Sequence, residues 1–210
     1  MRSESLFKKK QREAAASLFV EAAEQVIAEK GYAGATMQDI AGRAGCAVGT
    51  LYLRFKDKKD LFNAIVARHS HAIAERLLQD GAAAGDPLEQ LRQRNAATIA
   101  YFNEHREFFR IFYASGASVQ IIIAANLRGS ALRTYCESKA HETELVRKAQ
   151  RAGLVRGDIP AAEMIEFMHG AMMATLARWS TAEIIPPPAE QARLIWGLIS
   201  GGLGAAGAQK

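Results

Sequence analysis

Apolar residues recur along this chain at intervals of three and four, the period of helices that each turn one face to a core. Between Arg12 and Lys30, Ala15, Leu18, Phe19, Ala22, Ala23, Val26 and Ile27 mark one such face, and Gly31 follows as a residue suited to stop the helix. Strict alternation of apolar and polar positions, the mark of a half-buried strand, never holds for more than a few positions, while Ala, Leu, Glu, Arg and Gln dominate. The pattern predicts an all-α chain. Breaks at Gly31, Gly45, Asp57, Gly81 to Gly85, Gly116, Gly153 to Pro160 and Pro186 to Pro188 divide it into about nine helices.

The second and third of these are short. Thr36 and Asp39 have the T-x-x-D spacing of a capping box, which opens a helix running through Ala44, with Gly45 as its stop. After a tight turn, Val48 to Phe55 has room for two more helical turns. Asp57 and Asp60 then repeat the capping spacing at the head of a longer helix, Lys58 to about Gln79. Two short helices joined by a glycine-containing turn have helix-turn-helix geometry, in which the second helix enters the DNA major groove. Such helices cross closely, so their inward positions must be apolar. Ile40, Ala41, Ala44, Leu51 and Phe55 meet that need, leaving Thr50, Tyr52, Arg54, Lys56 and Lys58 to face outward. From Ile40 to Lys56 there are three basic residues and no acidic one, which suits a surface that approaches phosphates.

Composition sharpens this picture by exclusion. A hydrophobic share of 49% with 23% charged residues is that of a globular chain, and the formal charge of +5 favours a polyanionic partner. Cys46 and Cys136 lie in unrelated surroundings with no C-x-x-C spacing, so neither a disulfide framework nor a zinc site is expected, and a reducing cytoplasm fits. The basic N-terminal stretch lacks the apolar core of an export signal, and the uncharged stretch from Leu194 to Ala208 is shorter than the roughly 18 apolar residues a spanning helix needs. No membrane association is expected. Hydrolase, phosphate-loop, dinucleotide and zinc-protease motifs are absent; Glu166 and His169 form one E-x-x-H, where a di-iron bundle needs two and further carboxylates. The reading therefore assigns no catalytic residue, metal or cofactor.

The segment TMQDIAGRAGCAVGTLYLRFKDKKDLFNAIV resembles the signature of the TetR family of one-component regulators, and the motif match runs from about residue 14 to 66. The resemblance implies a three-helix DNA-binding domain over residues 1–58, followed by a helical ligand-binding and dimerisation domain over 59–210. It implies a ligand-responsive transcriptional regulator, a repressor released from a palindromic operator when a small, largely apolar effector binds. By the same resemblance Thr36 holds a phosphate at the start of the second helix, and Gly49 lets the third helix approach the DNA backbone. Thr50 and Tyr52 reach phosphate or base, and Lys58 clamps a phosphate. General chemistry suits these roles, because a helix start offers free N–H groups and a favourable dipole to an anion, and an ammonium is a compact point charge.

Two departures fall on the reading helix. Where the family often has a serine cap and a polar or basic residue, this chain has Ala47 and Val48, which forgoes a cap worth about 0.5–2 kcal/mol. The second aromatic and the histidine of the family's tyrosine-rich segment are here Leu53 and Arg54. Val48 is expected to touch a thymine methyl and Arg54 a phosphate, with Leu53 in the same reading set.

From about residue 86 to 206 the pattern predicts roughly five broad-faced helices. Aromatic and methionine side chains can line an adaptable cavity, which makes Phe102, Phe109, Phe112, Met168 and Met172 candidate effector contacts; the alternative is that they simply fill the core. Ridges at four-residue spacing, with small residues among them, allow close helix pairing about a two-fold axis. Met164, Leu176, Leu194, Leu198, Gly201 and Gly202 are accordingly the expected homodimer interface. Two-fold symmetry would set the reading heads about 34–36 Å apart, the spacing of successive major grooves. The competing readings are a helical enzyme and an adaptor without DNA binding, which would lack salt-steep phosphate binding.

Overall fold

A computed structural model of the chain describes the backbone over residues 2–80, 86–114 and 129–203, and side chains over 14–78, 86–113 and 132–201. Among the described residues there are nine helices and no strand: α1 (Arg2–Gly34), α2 (Met37–Arg43), α3 (Val48–Tyr52), α4 (Lys58–Asp80), α5 (Pro87–Glu104), α6 (Arg106–Ala114), α7 (Gly129–Arg151), α8 (Ala161–Thr181) and α9 (Pro188–Leu203). The all-α expectation holds. The expected breaks at Gly81 to Gly85 and Gly116 lie outside the described residues, as do the surroundings of Gly202. No helix among the described residues is long and apolar enough to cross a membrane.

α1 begins at Arg2 rather than near Arg12, and it buries Phe19, Val20, Ala22, Ala23, Val26 and Ile27. Leu18, expected on that face, is 60% exposed, because the buried arc is centred beyond it. The helix breaks at Gly31, whose φ of 72° and ψ of 163° suit a residue without Cβ. The capping box of α2 is formed in both directions: Thr36 Oγ1 accepts from the Asp39 N–H at 3.1 Å, and Asp39 Oδ2 accepts from the Thr36 N–H at 3.2 Å.

α3 is shorter than its pattern suggests. It has no side-chain cap at Ala47, and after Tyr52 the chain continues in turns, with the Phe55 N–H on the Leu51 carbonyl at 3.0 Å. Leu51 and Phe55 are nonetheless both buried. α4 opens with the Asp60 N–H on Asp57 Oδ1 at 2.7 Å and the Lys56 N–H on Asp60 Oδ2 at 3.0 Å.

By packing, the chain divides into two units, Met1–His69 with Ile111–Leu127, and Ser70–Arg110 with Arg128–Lys210. Their boundary falls inside α4. The core of the first holds Ile40, Leu51, Leu61 and Ile65, and the Phe62 ring lies 4.9 Å from Tyr32 and 6.4 Å from Phe112. In the second, α5 packs on α7 and α9, and α8 packs on α7 and α9, around Ile99, Phe102, Leu145, Ile165, Leu176 and Ile195. Asp86 starts α5 by accepting from the Leu88 and Glu89 N–H groups at 2.9 and 3.1 Å, with Pro87 at the first helical position.

Candidate nucleic-acid interface

Among α3 residues only Leu51 is buried, so one anchoring side chain leaves the rest of this five-residue helix to solvent. Gly49, Thr50, Tyr52, Leu53, Arg54 and Lys56 are exposed and Val48 is half-buried; Leu53, at 84%, is among the most exposed large apolar residues described. Gly45, in the turn before α3, has φ of 67° and needs to be glycine. Gly49 does not: a Cβ added there would meet nothing within 4 Å. Its smallness is unused by the fold itself and is available to a partner that approaches closely.

The charges around this surface fall into two groups. Arg43 is committed to α1, donating to Glu29 at 2.7 Å and Gln25 at 3.3 Å, and its hydrogen bond and charge hold the Glu29 carboxyl below the ordinary carboxylate value. Lys30 donates to Asp39 at 2.6 Å and, with Thr36, holds that carboxyl down as well. Arg54 and Lys56 have no side-chain hydrogen bond or ion pair among the described residues. Of the three basic residues between Ile40 and Lys56, these two remain available to an anion.

Two residues to which the family resemblance gives phosphate roles are already occupied. The Thr36 hydroxyl donates to Asp39 Oδ2 at 2.8 Å while accepting from the Asp39 N–H. Lys58 Nζ donates to the carbonyls of Tyr32, Ala33 and Ala35 at 2.7, 3.2 and 2.8 Å and sits 4.8 Å from the centre of the Tyr32 ring. Its three ammonium hydrogens therefore close the main chain between α1 and α2, where the break at Gly31 leaves carbonyls without helical partners.

The expected effector contacts are all buried, in two places. Phe102, Phe109, Met168 and Met172 belong to the second unit, with the Phe102 and Phe109 rings 5.3 Å apart, whereas Phe112 belongs to the first and stacks on Phe62. The second unit also holds a polar network that pattern reading missed. Arg94, 3% exposed, donates to Glu142 Oε1 at 3.2 Å, to the Ser138 hydroxyl at 2.7 Å and carbonyl at 3.3 Å, and to the Leu77 carbonyl. The other Glu142 oxygen pairs with His169 Nε2 at 2.8 Å. Burial alone would push the Glu142 carboxyl up, but the bonds and charges of His169 and Arg94 outweigh it and hold the group below the ordinary value. A signal was present in the sequence: Arg94 falls on the stripe of Leu91, Thr98 and Phe102, where a charge needs a buried partner.

Two residues of the expected pairing ridge lie inside the chain. Met164 and Leu176 are 3% and 1% exposed, packed inside a single copy of the chain, so they cannot form its outer face. The exposed side of α8 carries Phe167, Gly170 and Ala174, and that of α9 carries Leu194, Leu198 and Gly201.

An acid-free exposed segment on a closely packed pair of short helices, ahead of a larger helical bundle, has helix-turn-helix architecture. Residues 14–65 match the model described as bacterial regulatory proteins, tetR family. An activator of Mycolicibacterium smegmatis, FasR, is 26% identical over 107 residues, covering 51% of this chain and 49% of its own. The repressor BepR of Brucella suis biovar 1 is 39% identical over 84 residues, covering 39% of each. The chain thus spans half or less of the length of these relatives. Among solved structures, the ketosteroid transcriptional regulator KstR2 of Mycobacterium tuberculosis shares the fold, with a TM-score of 0.65 and 17% identity over 90% of this chain and 94% of that one. Residues 14–65 are thus similar to the DNA-binding region of the tetR family of bacterial regulatory proteins, and the chain shares its all-α fold with solved regulators.

Proposed function

We propose that this chain binds operator DNA as a homodimer and that a small effector entering residues 59–210 releases the reading domain, residues 1–58, from its site. The observation that carries the reading is the surface around α3, where Thr50, Tyr52, Leu53, Arg54 and Lys56 are exposed and no acid intervenes. Arg54 and Lys56 contact phosphates, while Tyr52, Leu53 and half-buried Val48 meet base edges or thymine methyls. Gly49 lets the backbone of α3 come close. Thr36 contributes through the N–H groups its box orders at the start of α2.

The exposed apolar strip on α8 and α9 supports the homodimer. Phe167 and Leu198 are 62% and 71% exposed beside Gly170, Ala174 and Gly201, a combination that favours close self-pairing of two helices with their copies. The effector acts through α4, which begins at Lys58 in the first packing unit and ends at Asp80 in the second. A small shift of that helix spoils head spacing, which must match about 34–36 Å, and so favours release over recruitment; repression is the resulting sign. Coupling of this kind is reciprocal and typically about 1–3 kcal/mol, so operator DNA weakens the effector by the same factor.

Binding of genomic fragments by the full chain across a salt series tests this. Retention of a near-palindromic fragment is expected to fall steeply with salt, and Arg54→Ala is expected to lower the slope of log affinity against log salt by about one. Tyr52→Ala is expected to relax sequence preference while leaving that slope unchanged. Salt-insensitive binding, or none, returns the chain to the adaptor reading.

A further inference from the structure

Asn95 stands out among the buried polar groups of the second unit. It lies in the middle of α5 at 7% exposure, and among the described residues neither its amide nitrogen nor its amide oxygen has a hydrogen-bond partner. Polar atoms sealed away without partners are costly and scarce in folded proteins, so such a group calls for something to bind. Its helical neighbours on the same stripe, Leu91, Ile99 and Phe102, are all buried and apolar. On α7, which packs against α5, half-buried His141 also has an unpartnered ring nitrogen, Nε2.

The adjacent residue decides what kind of group fits. Arg94 is the nearest buried cation in sequence, and its guanidinium is committed to Glu142, Ser138 and Leu77. Glu142 balances its charge and is itself held by His169. Burial, with the charges of Arg94 and Lys148, pushes the His141 imidazole below its ordinary value against the pull of Glu142, which disfavours its charged form. Among the described residues Arg94 is the one buried lysine or arginine and is already paired, and Lys148, whose charge reaches His141, is exposed, so an anion brought into this interior would bear most of its desolvation uncompensated. A carboxamide, by contrast, both donates and accepts without charge.

We propose that Asn95 anchors an effector site within the second unit that takes an apolar molecule with an uncharged head group able to donate and accept, such as an amide or alcohol, and rejects a carboxylate. The inference rests on the effector-responsive reading above and specifies its ligand chemistry. The amide of Asn95 pairs with the head group, and the apolar stripe of α5 meets the hydrocarbon part.

Calorimetric titration of the full chain with octanamide and with octanoate at pH 7.5 is the test. The wild type is expected to bind octanamide at least about tenfold more tightly than octanoate. Asn95→Leu, which is apolar, and Asn95→Ala, which adds no volume, are both expected to lose that preference. Equal or tighter binding of octanoate, a preference that survives in both variants, or binding of neither compound overturns the proposal. Genomic-fragment retention by the same samples separates the two readings. Salt-steep DNA retention without an amide preference sinks this inference alone, and an amide preference without DNA retention sinks the regulator reading alone.

Discussion

The two packing units leave hydrogen-bonding capacity unused on opposite sides of their surfaces. In the first, helix ends are closed by their own residues: Thr36 with Asp39, Asp57 with Asp60, and Lys58 on three carbonyls. What remains over is exposed, as Arg54, Lys56 and Tyr52. In the second, polar side chains are taken into the interior and mostly closed there, as in Arg94 with Glu142 and Asn103 with Gln191. What remains over is buried, above all Asn95. Because a native chain rarely leaves such capacity idle, the difference fits the partners proposed above, met at the outer surface by one unit and within the core by the other.

The largest expected effect breaks the closed interior of the second unit. Arg94→Met leaves Glu142 buried without its guanidinium partner, and is expected to cost about 3–5 kcal/mol in urea denaturation. The pair Arg94→Met with Glu142→Leu should recover most of that loss; a single variant as stable as the wild type would show that the network carries no stability.

Next comes a test of the one deeply buried imidazole of the first unit that is closed on a carboxylate. His69 is 4% exposed and bonded to Glu24 at 3.0 Å, and burial, aided by the Arg68 charge, lowers its pKa from 6.5 to about 4. The unfolded chain then takes up the proton at higher pH than the folded one. The stabilisation is fully present above pH 6.5 and is lost as pH falls through 4, by roughly 3 kcal/mol in all. Denaturation of wild type and His69→Leu across that range reads it: the variant should lack this component of the pH dependence.

The smallest effect sharpens the boundary between closed and available groups on the reading head. Lys58→Met is expected to cost about 1–2 kcal/mol of stability by releasing three carbonyls. Its salt slope for DNA binding should equal that of the wild type, whereas a slope lower by about one would make Lys58 a phosphate contact.

Much of the head was legible because its signals are local. T-x-x-D spacing reports a hydrogen-bond pair between residues three apart, and that pair is formed at Thr36 and Asp39. The end of α3 was not, because Leu51 and Phe55 are buried whether the backbone between them is helix or turn. The burial of Met164 and Leu176, expected on the pairing ridge, has a similar cause. α8 is apolar on both sides, with Met164 and Met168 inside and Phe167 outside, so periodicity could not say which side the chain covers itself. Arg94 and Glu142 are 48 positions apart, and only the packing of α5 on α7 brings them together.

That guanidinium also bears on how the second unit assembles. It touches the end of α4 through Leu77, reaches α7 through Ser138 and Glu142, and through Glu142 is joined to His169 of α8. A partly assembled bundle missing one of these helices would enclose a charge before its partners had arrived, which raises the free energy of every such intermediate. The arrangement disfavours halfway states, so the helices it joins gain stability together and come apart together, as one cooperative unit.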